Sequence, residues 1–180
     1  MSEIILSIDI GKKNLGYTIY SPGMIFKFGL FNTADKIKKN KLKDNMESRN
    51  IVLLSWLQHI VEKYEITTIV VEKQVIRNVI AMCIQSCIIS YALMNNISYI
   101  TFDPKRKFTF TGATYNSQKK EHKKIVVKYA INTIEMINSK KLERFNEFNK
   151  KDDISDSIVM ALMSHPETNL NEYRKVITSK

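Results

Sequence analysis

The sequence is poor in the side chains that bind soft metals or cross-link a chain, with two cysteines and three histidines in 180 residues. Cys83 and Cys87 stand four apart in an apolar stretch. That spacing stacks them on one helix face, where free cysteine packs as a small hydrophobe. His59, His122 and His165 are scattered, so no zinc-ligand spacing can be drawn. So few cysteines fit a reducing compartment. Glycine is scarce too, at five residues, which leaves no material for the Gly-rich phosphate loops and second lobe of a nucleotide-driven kinase. The longest apolar run, residues 75–94, contains Arg77, Asn78, Gln85, Ser86 and Ser90. It falls short of the ~20 predominantly apolar residues a membrane span needs and reads as a core helix, so no membrane is expected. The opening MSEIILSIDIGKK runs straight into a strand pattern, with no secretory leader.

Acids are also in deficit. Eighteen Asp and Glu against 28 Lys and Arg give a net charge of +10, a footprint suited to a polyanion. A plain solubilising surface and an acidic lipid are the competing readings. The basic clusters, residues 36–43, 105–107, 119–124 and 140–144, are nearly all lysine. Lysine is a point charge that suits a phosphate backbone more than bidentate reading of guanine. The expected partner is therefore a nucleic acid recognised by shape.

The apolar spacing gives the order of elements. IILSIDI, GYTIY and MIFKFGLF read as strands joined by the turn signals GKKN and SPG, an antiparallel meander. Residues 36–43 (KIKKNKLK) are too charged to bury and are expected as a solvated loop or helix start. Ile51, Leu54, Leu57, Ile60 and Val61 recur at helical spacing within residues 45–64. TTIVVE is a fourth strand ending at Glu72, residues 77–94 an apolar helix, and SYITFD a fifth strand closed by Asp103 and Pro104. A helix follows over residues 116–137, then a polar, irregular stretch over 139–150, then a last helix over 153–163, stopped before Pro166. This order predicts an α/β domain over residues 1–165. Its mixed five-stranded sheet has three antiparallel strands, then two parallel ones, with helices on both faces. Residues 166–180 form a polar tail.

Against this pattern a few acids break the local rules. Asp9 lies in a run of Ile and Leu, where a carboxylate is costly unless it is paired or binds a metal. Glu72 ends an equally apolar strand, and Asp153 and Asp156 share one face of the last helix. With the first strand central and the fourth beside it, these four acids converge, and hard oxygen ligands suit Mg²⁺ or Mn²⁺. Two such ions ~3.5–4 Å apart would serve in-line phosphoryl displacement. Each acid also has a plainer reading: Asp153 and Asp156 as helix-start charges, Asp9 as a turn residue, Glu72 as the partner of a lysine.

The segments IDIGKKNLGY, VVEKQ and KKDDISDSIVMAL, in this order, resemble the three motifs of the RuvC-like Holliday junction resolvases. The likeness is strongest to the branch of poxviruses and other large DNA viruses, within the ribonuclease H-like superfamily, and it covers about residues 3–163. The resemblance implies a ribonuclease H-like fold and a homodimer that resolves four-way DNA junctions by paired symmetric nicks. It implies Asp9, Glu72, Asp153 and Asp156 as metal ligands, with two Mg²⁺ per active site and Mn²⁺ able to substitute. Asp152 is the alternative to Asp153. Lys107 and Lys123 fall near the basic positions beside the active site, with Lys124 an equal register for the second. The expected DNA contacts are Lys73, Gln74, Lys105, Arg106, Lys107, Lys119, Lys120, Lys123 and Lys124. The location implied is cytoplasmic, in the host cytoplasm if the chain is viral. Two departures stand out: the segment after Glu72, VIRNVIAM, has no aromatic residue, and residues 36–43 match no motif. A nuclease for another branched or hybrid substrate and a non-catalytic DNA-binding protein remain the alternatives.

Overall fold

The computed structural model describes residues 3–11, 14–111 and 119–165. The opening meander is β1 (Ile5–Ile10), β2 (Asn14–Ser21) and β3 (Met24–Asn32), followed by α1 (Thr33–Lys39) and α2 (Met46–Tyr64). Then come β4 (Thr68–Glu72), α3 (Val79–Met94), β5 (Ser98–Phe102), α4 (Lys105–Thr111), α5 (Lys119–Asn138), α6 (Lys140–Asn146) and α7 (Lys151–Ser164). The strands form one sheet in the order β3-β2-β1-β4-β5. β1 pairs antiparallel with β2 and parallel with β4, and β4 pairs parallel with β5. This is the expected mixed sheet, with β1 at its centre. The β2–β3 turn has Gly23 at φ +74° after Pro22, the left-handed position that a type II turn reserves for glycine.

Each central strand feeds two cores because side chains alternate across a pleat. Leu6, Ile8 and Ile10 pack with Leu53, Leu57, Ile84 and Ile88 under α2 and α3. Ile5 and Val70 point the other way, into a core with Val126, Tyr129, Ile158 and Leu162 of α5 and α7. By the same period Ser7, Asp9 and Glu72 face α7. Helices therefore cover both faces, and the last helix lies over the acids.

Three sequence expectations change. Residues 139–150 are not irregular: α6 forms there, with Phe145 wholly buried in an edge-on contact with Phe28, centroids 5.8 Å apart. Leu142, Phe145 and Phe148 recur every three residues in this otherwise polar stretch and all pack on the α5–α7 core, a short helical signal masked by the charges around it. Cys83 is exposed and Cys87 half-buried, because α3 turns Ala81, Ile84, Ile88 and Ala92 to the sheet instead. On α2, Ile51 and Leu54 face outward while Val52 and Leu53 are buried. The tail over residues 166–180 lies outside the described residues. Among those described, no helix is long and apolar enough to cross a membrane.

Phe145→Ala should cost about 3–5 kcal/mol, read as a lower urea midpoint with an unchanged slope.

Candidate active site

Asp9 and Glu72 stand at the C-terminal ends of β1 and β4, neighbours in the sheet, on the side covered by α7. What brings α7 close is β2. A Cβ on Gly16 would stand 2.1 Å from the Asp153 carbonyl oxygen, so only glycine lets the helix start seat there. One turn further along, the Thr18 and Ser157 hydroxyls meet at 2.7 Å in a buried hydrogen bond. Ser157 donates its proton to the Ile154 carbonyl at 2.8 Å, so Thr18 is the donor to Ser157 Oγ. This contact sets the rotation of α7 and turns Asp156 toward Glu72.

Between these acids lies Lys107 of α4. Its Nζ is 2.6 Å from Glu72 Oε1 and 3.2 Å from Asp156 Oδ1, with the side chain 5% exposed. Burial pulls the Lys107 pKa down, but attraction to Asp156, Glu72 and Asp9 outweighs it, and the ammonium is held above its ordinary value. Burial, repulsion from Glu72 and Asp156, and a hydrogen bond shared with Glu72 push the Asp9 carboxyl well above the usual range, with Lys107 opposing. Burial raises Asp156 as well. Glu72 is also steadied from behind. Gln74 Nε2 donates to its carbonyl at 3.1 Å and to Oε2 at 3.4 Å, while the Gln74 N–H donates to Gln85 Oε1 of α3 at 2.9 Å.

The cluster opens into a cleft lined by Glu72, Pro104, Lys107, His122, Lys123, Val126, Asp152 and Asp156. The structure thus brings Asp9, Glu72, Asp156 and Lys107 together. Asp153 is not brought in: its side chain lies 4.0 Å from Lys150, and it is Asp152 that lines the cleft, paired with Lys123. Lys123, not Lys124, is on that wall; Lys124 lines a neighbouring groove with Val127 and Phe148. Of the expected DNA contacts, Lys73, Lys105, Arg106 and Lys124 are exposed. Gln74 is half-buried and turned back onto Glu72, and Lys107 is buried. The side chains of Lys119 and Lys120 lie outside the described residues. His122 was read only for zinc spacing, yet it lines the cleft, its pKa lowered by burial; its place next to Lys123 was the available signal.

The donor set is oxygen only, which suits a hard divalent cation. Among the described residues no three acids form a ready-made ligand group, and the point between Glu72 and Asp156 is held by Lys107 Nζ.

A five-stranded mixed sheet in this order, with acids at the ends of its two central strands and on the last helix, is a ribonuclease H-like fold. The sequence matches the family described as Poxvirus A22 protein over residues 3–166, and the chain belongs to that family. The fold is similar to that of the Fowlpox virus resolvase, solved in complex with its substrate Holliday junction DNA. There the TM-score is 0.65 at 20% identity, covering 89% of this chain and 95% of that one. The yeast mitochondrial Holliday junction resolvase Ydc2 gives a TM-score of 0.60 at 19% identity, over 99% and 83% of the two chains. Thermus thermophilus RuvC gives 0.60 at 11% identity, over 97% and 96%. Among curated proteins, none matches by sequence.

The charges in the cluster have opposite effects on stability. Asp9 carries a folded pKa above its unfolded value of about 3.9, so its ionised form costs folding energy at neutral pH. That cost fades as pH falls through the folded pKa toward the unfolded one. Asp9→Asn should therefore raise the melting temperature in chelator at pH 7, with the gain vanishing near pH 4. Lys107→Met, which strands the acids, should lower stability by about 3–5 kcal/mol; the same pH-dependent melts measure both.

Proposed function

We propose that this chain is a divalent-cation-dependent endonuclease that resolves four-way DNA junctions by paired, symmetric nicks, working as a homodimer. The observation that carries the reading is the meeting of Asp9, Glu72 and Asp156, from three separate elements, around one ammonium group in an open cleft. A buried acid cluster of this kind is poor material for stability, since repulsion and desolvation both oppose it. It is good material for handling a phosphodiester.

Asp9, Glu72 and Asp156 would hold the cations, Mg²⁺ or Mn²⁺, two per site. When bound, these supply the charge neutralisation and water activation that phosphodiester hydrolysis requires. The reaction adds water oxygen to phosphorus and breaks the bond to the 3′ oxygen, leaving 5′-phosphate and 3′-hydroxyl ends. Lys107 keeps its proton on Nζ and offsets negative charge where the phosphate would sit. Gln74 and Gln85 orient the Glu72 carboxylate. Lys123, half exposed at the cleft mouth and paired with Asp152, can exchange that partner for a DNA phosphate. Asp153 stays with Lys150 and is left out of the ligand set.

Paired nicks need two sites on a two-fold axis. The face for it is on α3, the segment before it and α2, where Leu54, Ile76, Val79, Met82, Cys83 and Cys87 line a groove together with Asn50, Ser86 and Ser90. Val75, Ile76, Val79 and Ile80 are exposed beside it. A poxvirus-type resolvase would act in the host cytoplasm.

Two experiments test this reading. Asp9→Asn should abolish Mg²⁺-dependent cutting of a synthetic four-way junction while keeping its binding, with matched flap and RNA–DNA hybrid substrates cut poorly by the unaltered protein. Faster cutting of flap or hybrid than of junction would overturn the substrate assignment, and unchanged cutting by the variant would overturn the site. In sedimentation the protein should run as a dimer at micromolar concentration, and Val79→Glu should yield monomer.

A further inference from the structure

We infer that residues 36–43, in α1 and the turn after it, form a second phosphate-binding ridge that grips a DNA arm away from the cleft. The inference rests on the resolvase reading above and adds a contact that the acids do not require.

The register places this ridge. Asp9, Gly16 and Leu30 lie in one row across the sheet. β3 continues past Leu30 toward the end of the sheet that carries the acids, and α1 follows it directly at Thr33. With strands ~4.8 Å apart and ~3.4 Å per residue, α1 begins roughly 10–15 Å from Asp9. At the opposite edge β5 leads directly into α4, which carries Lys105 and Arg106, exposed, with Lys123 and Lys124 beyond it on α5. The acid cluster therefore sits mid-sheet on the face covered by α7, with Lys105 and Arg106 beyond the β5 edge, while the α1 ridge stands beyond the β3 edge on the face covered by α2, separate from the cleft.

The lysines are displayed, not neutralised. Lys36, Lys38, Lys39, Lys41 and Lys43 are exposed and have no carboxylate partner among the described residues. Of the two acids that flank them, Asp44 is held by Arg49 at 2.9 Å, and Asp35, in the first turn of α1, makes no ion pair with these lysines among the described residues. The ridge is also ordered. Ile37 is buried, the Leu42 N–H donates to its carbonyl at 3.0 Å, and Lys41 adopts the disfavoured left-handed conformation at φ +55° to close the turn. Lys36 and Lys39, one turn apart, stand with Asn40, Ser55 and His59 around a groove whose apolar side is Phe31, Ile51, Val52 and Trp56. The groove contains no acid, and such a set of donors fits phosphate oxygens.

The test is the triple variant Lys36→Gln, Lys39→Gln, Lys43→Gln in the full chain, titrated with a synthetic four-way junction over a range of salt. Each lost phosphate contact should flatten the log–log salt slope by about 0.9. The expected result is a slope shallower by about 2 to 3 and binding at least tenfold weaker. The single-turnover cutting rate at saturating protein should stay within about twofold, because the cleft is untouched, and the matching Lys→Arg triple should restore the slope. Unaltered affinity and slope in the Gln triple would overturn the ridge while leaving the resolvase reading standing. An unaltered protein that shows no salt-dependent junction binding would overturn the resolvase reading itself.

Discussion

Three carboxylates that repel one another are kept within reach of a single ammonium group, and much of the fold serves that arrangement. Asp9 and Glu72 are carried on adjacent parallel strands, so the backbone ladder fixes their spacing before any side chain acts. Asp156 arrives on α7, whose approach depends on the missing Cβ of Gly16 and whose rotation is set by the Thr18–Ser157 hydrogen bond. Burying these charges is expensive, several kcal/mol per ion even after relaxation. Lys107 offsets part of that cost by lying between Glu72 and Asp156. Removing the ammonium and removing a carboxylate therefore act on the fold with opposite sign.

The two faces of the sheet divide the work. The α5 and α7 face is a closed core up to its C-terminal end, where it opens as the acidic cleft. The α2 and α3 face is a core beneath and an apolar surface above, because α3 is apolar nearly all round and the sheet covers only one side of it. Gln85 joins the two, since it stands on α3 and fixes Gln74, which in turn holds Glu72. The helix with the apolar outer surface is thus two hydrogen bonds, through Gln74, from Glu72. Of the lysines, Lys107 and Lys123 line the cleft with the acids.

The likeness to the Fowlpox virus resolvase, to Ydc2 and to RuvC spans nearly the whole chain at 20% identity or less. Likeness at that distance is likeness of fold, and in this chain the frame of the fold is the β1–β4 adjacency with the last helix laid across it. Loops, helix surfaces and the charged edges are not bound by that frame, and residues 36–43, which fit no motif of the family, are an example.

The fold and the strand-end acids were legible in the sequence because their signals are local. Alternation over five or six residues marks a strand, and Asp9 within IILSIDI or Glu72 after IVV is conspicuous to its immediate neighbours. The meander followed by crossovers then puts the first and fourth strands side by side. Sequence alone could not decide between Asp152 and Asp153 as the companion of Asp156, since neighbours on a helix differ by only 100° and the rotation of α7 is fixed from β2. Nor could it separate Lys123 from Lys124, bury Lys107 or expose Cys83. Each of those depends on a partner far away in the chain, and a lysine reads as solvent-exposed until three distant carboxylates are folded around it.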